Sequence, residues 1–129
     1  MPAISTMVLA DGQATPVNKT FSVIKAQSGQ DSPARWAEQS TGLYAGFLQV
    51  TSLVRRTSNK STKIQVKVTL PKLSTDGTNT VIHTGIASVD VTIPDTMSLQ
   101  ERKDIRAFIA NALDHSNIKD AIEQLSPNF

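Results

Sequence analysis

From Lys63 to Leu70 every second residue is apolar. Ile64, Val66, Val68 and Leu70 point one way, while Lys63, Gln65, Lys67 and Thr69 point the other. A period of two marks a strand with one buried and one wetted face. The chain is therefore committed to a sheet whose apolar side needs a cover. A weaker alternation over 50–57 sets Val50, Ser52 and Val54 against Thr51, Leu53, Arg55 and Thr57. Residues 57–61 carry the turn between them, so 47–57 and 61–71 read as one long hairpin.

Further strands flank it. In 80–93, Ala87, Val89, Val91 and Ile93 oppose Ile86, Ser88, Asp90 and Thr92, and Pro94 stops the ladder. Residues 72–80 form a polar loop with Asp76-Gly77 at its tip. Upstream, Ile4–Ala10 and residues 17–26 flank Asp11-Gly12, a dipeptide suited to a hairpin turn. Residues 34–38 can add a short strand.

The pattern then changes period. Ser98 and Glu101 make a capping box, and Ile105, Phe108, Ile109 and Leu113 follow at helical spacing. Asn117 is placed to cap a second helix with Ile118, Ala121, Ile122 and Leu125 as its stripe, ended by Ser126-Pro127. Strands followed by helices argue for α+β. The 129 residues suit one domain: a hairpin over 4–26, a main antiparallel sheet over 31–93 and two helices over 97–125.

Composition narrows the chemistry. With no Cys there are no disulfides, thiolate metal sites or Cys nucleophiles. Apolar runs fall far short of the ~20 residues of a membrane helix. The first ten residues carry no Lys or Arg and no long apolar stretch, so the chain is expected to work where it is made. No P-loop, GxGxxG, HExxH or GxSxG occurs. His83 and His115 lack the convergent partners that a metal or a triad needs. No catalytic residue, metal or cofactor is expected; a small enzyme using either histidine is the third-ranked reading.

Thirteen Lys+Arg against eleven Asp+Glu is too small an excess to mark a nucleic-acid binder. The distribution says more. Residues 39–75 hold six bases (Arg55, Arg56, Lys60, Lys63, Lys67, Lys72) and no acid, whereas 95–123 hold six acids and four bases. Pairing the hairpin strands puts Arg55, Lys63 and Lys67 on one face among Thr51, Thr57, Gln65 and Thr69. Such a face suits phosphates and base edges; an ordinary solvated strand face has the same composition. Two short helices are the only amphipathic cover in the chain, and open sheet edges invite a second copy. Patterning alone does not separate a self-covered monomer from a dimer.

Four segments carry a resemblance: 50–72 (VTSLVRRTSNKSTKIQVKVTLPK), 87–94 (ASVDVTIP), 121–129 (AIEQLSPNF) and 7–16 (MVLADGQATP), with Trp36. Together, in this order and spacing, they resemble the coat proteins of single-stranded RNA bacteriophages, the levivirus type. The resemblance implies an N-terminal hairpin, a large antiparallel sheet and two C-terminal helices. It implies an interlocked homodimer with a continuous sheet, each subunit's helices lying on the partner's sheet. It further implies an icosahedral shell, commonly T=3, around genomic RNA, made in the cytoplasm of a bacterial host. The polar face would line the virion interior and bind an RNA hairpin, repressing replicase translation.

The family's RNA-contact positions fall on Thr51, Leu53, Arg55, Thr57, Ser58, Ser61, Lys63, Gln65, Lys67, Thr69, Ile86 and Ser88. Ile86 stands where the family carries a stacking aromatic, and Leu53 where it carries a small polar residue of an adenine pocket. The loop surrounding the symmetry axes corresponds to Lys72, Leu73, Ser74, Thr75, Asp76, Gly77, Thr78, Asn79 and Thr80. No membrane or small-molecule partner is implied. The runner-up is a dimeric, non-capsid RNA-binding module using the same basic sheet.

Overall fold

The computed structural model describes residues 3–128; Phe129, the last residue of the C-terminal run, lies outside them. Two compact units are present, Met1–Thr92 and Ile93–Phe129. The division falls close to where the sequence changes period from two to helical.

The first unit is an antiparallel sheet. Its strands are β1 (Met7–Ala10), β2 (Asn18–Lys25), β3 (Ala34–Glu38), β4 (Leu48–Arg56), β5 (Ser61–Leu73) and β6 (Val81–Pro94), with a 3-10 turn at Tyr44–Gly46. They lie side by side in chain order, so every connection joins neighbours. Thr57 N–H donates to Ser61 O at 2.8 Å in the β4–β5 turn, and Lys60 takes the left-handed conformation at φ 56°. A left-handed final residue is the usual way for a three-residue hairpin loop to return the chain.

Register sets the faces, because residues directly opposite across a ladder share a side. Val50–Val68, Ser52–Val66 and Val54–Ile64 pair on one side. Ala34–Ser52 and Trp36–Val50 continue that side into β3. The alternation read from 50–57 and 63–70 is thus the alternation of the fold. Phe21, Ala34, Ala37 and Val50 are the buried apolar residues. Four are few for a chain with this much apolar content, and Val54, Val68 and Leu70 (56% exposed) remain open to water.

Several expectations are corrected. The first strand begins at Met7, not Ile4, because the Ser5 carbonyl accepts from Trp36 Nε1 at 2.8 Å. Asp11-Gly12 is not a tight hairpin turn. The loop runs to Val17, with Asp11 N–H donating to Val17 O and the Asp11 carboxylate accepting from Val17 N–H, each at 3.0 Å. That second bond is the leading cause of a lowered Asp11 pKa. β5 continues past Pro71 to Leu73, so Lys72 and Leu73 are strand residues rather than loop. Pro71 lies beyond the last β4 rung, Gln49–Thr69, where its missing N–H interrupts nothing on that side.

The second unit holds α1 (Leu99–Asp114) and α2 (Ser116–Gln124). The capping box forms as read: Glu101 N–H donates to Ser98 Oγ at 3.2 Å, and Ser98 N–H donates to Glu101 Oε1 at 3.3 Å. Such a cap is worth about 1 kcal/mol. The α2 cap is His115, not Asn117; Asn117 N–H donates to His115 Nδ1 at 3.2 Å. With extended backbone, His115 closes α1 through its N–H on Ala112 O and opens α2, so a single residue makes the joint. No helix of the described residues is long and apolar enough to cross a membrane. Of the α1 stripe, Ile105 is half-buried while Phe108 (71% open), Ile109 and Leu113 are exposed, and so are Ile122 and Leu125 of α2.

Candidate nucleic-acid interface

The polar side of the sheet is built in rows across the strands. Nearest the β4–β5 turn, Arg55 pairs with Lys63, and the next row sets Leu53 opposite Gln65. Gln65 Nε2 donates to Ser88 Oγ at 3.4 Å, which brings β6 into that row. The third row pairs Thr51 with Lys67, and the fourth Gln49 with Thr69. Lys63, Gln65 and Lys67 are exposed, as is Arg55. Ile86, on the same side of β6 as Ser88 by alternation, is 63% exposed. Thr57, Ser58 and Ser61 gather at the turn. The Thr57 and Ser61 hydroxyls donate to the carbonyls of Ser61 and Asn59, so they shape the turn as well as border the face.

Three further residues join this face that the hairpin alone did not reveal. Arg35 of β3 sits opposite Thr51, and Lys25 of β2 sits opposite Arg35. Lys25, Arg35, Thr51 and Lys67 therefore form one transverse row. At about 4.8 Å per strand, Arg35 and Lys67 are about 10 Å apart at Cα. The signal for Arg35 was its position beside Trp36 in a five-residue strand, but its neighbours depend on a register that alternation does not supply. The other addition is Asp90, which lines a hollow of about 440 Å³ with Leu53, Arg55, Lys63, Gln65 and Thr92. The acid-free stretch in the sequence ends at Thr75, so the fold sets a carboxylate beside the cations. A carboxylate repels phosphate and can accept from the exocyclic amines of bases, so this end of the face is not uniformly cationic.

The Levivirus coat protein family model matches residues 2–129. This chain belongs to the Levivirus coat protein family. The virus-like particle of bacteriophage NT-214 is similar at 28% identity and a TM-score of 0.90, covering 99% of this chain and 100% of that one. The virus-like particle of bacteriophage ESE058 is 29% identical with a TM-score of 0.87, over 99% and 100% of the two chains. A structure described as an unassembled virus coat protein dimer, a bacteriophage RNA-binding dimer, shares the fold at 22% identity and a TM-score of 0.71, with 97% of each chain covered. No curated protein matches. The sheet followed by two helices is the coat protein fold, and the role is that of a structural capsid component.

The coat protein's β5–β6 loop, residues 74–80, is polar but well braced. Ser74 N–H donates to Thr80 O at 2.8 Å. The Asp76 carboxylate accepts from Thr78 N–H at 3.0 Å, Thr78 Oγ1 at 2.6 Å and Ser74 Oγ at 2.9 Å. Gly77 at φ 87° and Asn79 at φ 56° let the chain reverse around it. The Thr78 hydroxyl, then the Thr78 amide and the Ser74 hydroxyl, hold the Asp76 pKa at about 2, below its ordinary 3.8. A lowered folded-state pKa means the bracing is fully present above pH 3.8 and is lost as the pH falls through about 2. Amide exchange at Thr78, followed by NMR between pH 5 and pH 2, is expected to accelerate over that window relative to β5 amides. Asp76→Ala should show the fast exchange already at neutral pH. A Thr78 amide equally protected in that variant would remove Asp76 as the brace.

Proposed function

We propose that this coat protein forms a twofold dimer whose two sheets join edge to edge, each subunit's helices covering the partner's sheet. Dimers then close into an icosahedral shell around single-stranded genomic RNA. The joined polar faces bind an RNA hairpin through Thr51, Leu53, Arg55, Thr57, Ser58, Ser61, Lys63, Gln65, Lys67, Thr69, Ile86 and Ser88, and this represses replicase translation. Within the single coat domain, residues 72–80 are the segment that meets neighbours at the symmetry axes, with 74–80 as its free loop.

The observation carrying this reading is the division of labour between the two sides of β4 and β5. Cations and hydrogen-bonding groups occupy one side, and uncovered apolar groups the other. On the helices, Phe108, Ile109, Leu113, Ile122 and Leu125 are likewise uncovered. Burying five such side chains is worth on the order of 10 kcal/mol per chain before ordering costs. A similar fold in a protein described as an RNA-binding dimer supports the same assignment.

The test is expression of the chain alone in bacteria. Electron microscopy should show closed shells, and nuclease-resistant RNA should copurify with them. An RNA-binding species that never exceeds about 28 kDa, twice the 13.9 kDa chain, would instead identify a dimeric module without shell-forming capacity.

A further inference from the structure

Tyr44 is the exposed aromatic side chain of the sheet unit. Its ring is 67% open to solvent, while Phe21 is buried and Trp36 and Phe47 are half-buried. An aromatic left this open on a coat protein calls for an account, and its surroundings supply one. Tyr44 starts the 3-10 turn that joins β3 to β4. That turn is set tightly on the sheet: a Cβ at Gly46 would lie 2.6 Å from Leu73 Cδ1, so any larger residue there would push the Leu73 side chain aside. The ring is backed by Phe47, at 5.7 Å between centroids and a 60° tilt. Its hydroxyl accepts from Arg35 Nη1 at 3.4 Å.

Arg35 connects the ring to the cationic face. It lies between Lys25 and Thr51 in the row that runs on to Lys67. Its Nε is buried without a hydrogen-bond partner among the described residues, so packing holds the guanidinium in place. A fixed guanidinium beside an open aromatic face is the pairing that proteins use to hold a nucleotide, with phosphate near the cation and base on the ring. Ile86, at the β6 side of the same face, offers no π surface.

We propose that Tyr44, positioned by Phe47 and by Arg35 of the Lys25–Arg35–Thr51–Lys67 row, is a stacking platform for an unpaired nucleobase of single-stranded RNA. The proposal rests on the polar face being the RNA-binding surface and adds a contact outside the positions assigned above. Stacking accepts any base, so the platform favours unpaired over paired RNA without reading sequence. It carries no charge, so it adds affinity without adding salt dependence.

The experiment uses the full-length chain in its unassembled soluble form, with a short oligouridine and a fully paired RNA duplex as probes. Tyr44→Leu keeps bulk and removes the π face. Its affinity for oligouridine should fall roughly 5- to 150-fold, with duplex affinity and the salt slope unchanged. Tyr44→Phe should stay close to the parent. In the unmodified protein, 5-iodouridine oligonucleotide should photocrosslink to Tyr44, a readout independent of any variant's folding. Parental oligouridine binding by Tyr44→Leu, with no crosslink at Tyr44, would overturn the platform. If Lys63→Ala/Lys67→Ala still weakened both probes in that case, the polar face would stand and only the platform would fall. If that double variant also bound normally, the face itself would be the wrong surface. Equal losses for oligouridine and duplex in Tyr44→Leu would likewise rule out stacking.

Discussion

The Phe108→Asp chain is expected to give neither soluble dimer nor folded protein. Within one chain Phe108 is 71% exposed. If that surface stayed open, a charge there would be harmless, since exposed substitutions usually move stability by under about 0.5 kcal/mol. If the α1 stripe is covered by a partner's sheet, the same Asp is buried unpaired and costs several kcal/mol in each subunit. The two readings of one surface therefore predict opposite results. Truncation to Ala should act in the same direction, with losses of up to about 3–5 kcal/mol for a fully covered Phe. Size-exclusion chromatography with light scattering, together with circular dichroism, decides between them. A folded Phe108→Asp monomer would end the interlocked dimer.

For RNA, the Lys63→Ala/Lys67→Ala variant is expected to lose affinity for every RNA tested and to flatten the salt dependence. Each phosphate contact contributes about 0.7 to 0.9 log units of affinity per log unit of salt. A twofold dimer would present four of these lysines, so the slope should fall by up to roughly 3. Both side chains are exposed and sit opposite the Val66 and Val68 side of β5, so the melting temperature should hold. Gln65→Ala or Thr51→Ala should change preference among hairpins while leaving the slope alone. Filter binding at several salt concentrations separates these behaviours. A double variant with parental affinity and slope would return the basic row to an ordinary wetted surface.

Much of this architecture is written in local patterns. The period of two across 63–70 gave both faces of β5, and Ser98 with Glu101 gave the start of α1 to the residue. Both depend on neighbours within a few positions. What stayed hidden depends on distant partners. Arg35 joins the cationic row only because β3 pairs with β4 in a particular register, and Lys25 joins it only after a shift between Val23 and Lys25 in the β2–β3 ladder. Asp90 reaches the hollow beside Arg55 and Lys63 from β6. The His115 joint was missed because histidine is an uncommon cap, while Asn117, the better capping residue on propensity, stands two positions too late. Lys72 and Leu73 read as loop because they open the polar run that leads to Asp76-Gly77, yet both belong to β5 and Leu73 lies against Gly46.

If the polar side of the sheet lines the shell as proposed, the two-sided build of β4 and β5 makes the contents and the wall separately editable. In the proposed shell, even-numbered positions such as Val50, Ile64 and Val66 would build the wall, while Thr51, Lys63, Gln65 and Lys67, on the other side of the same strands, would meet the cargo. Acidic side chains at those odd-numbered positions would turn the lining from polyanion-holding to polycation-holding. The enclosed material could then be a basic peptide or a cationic enzyme, with the apolar packing unchanged.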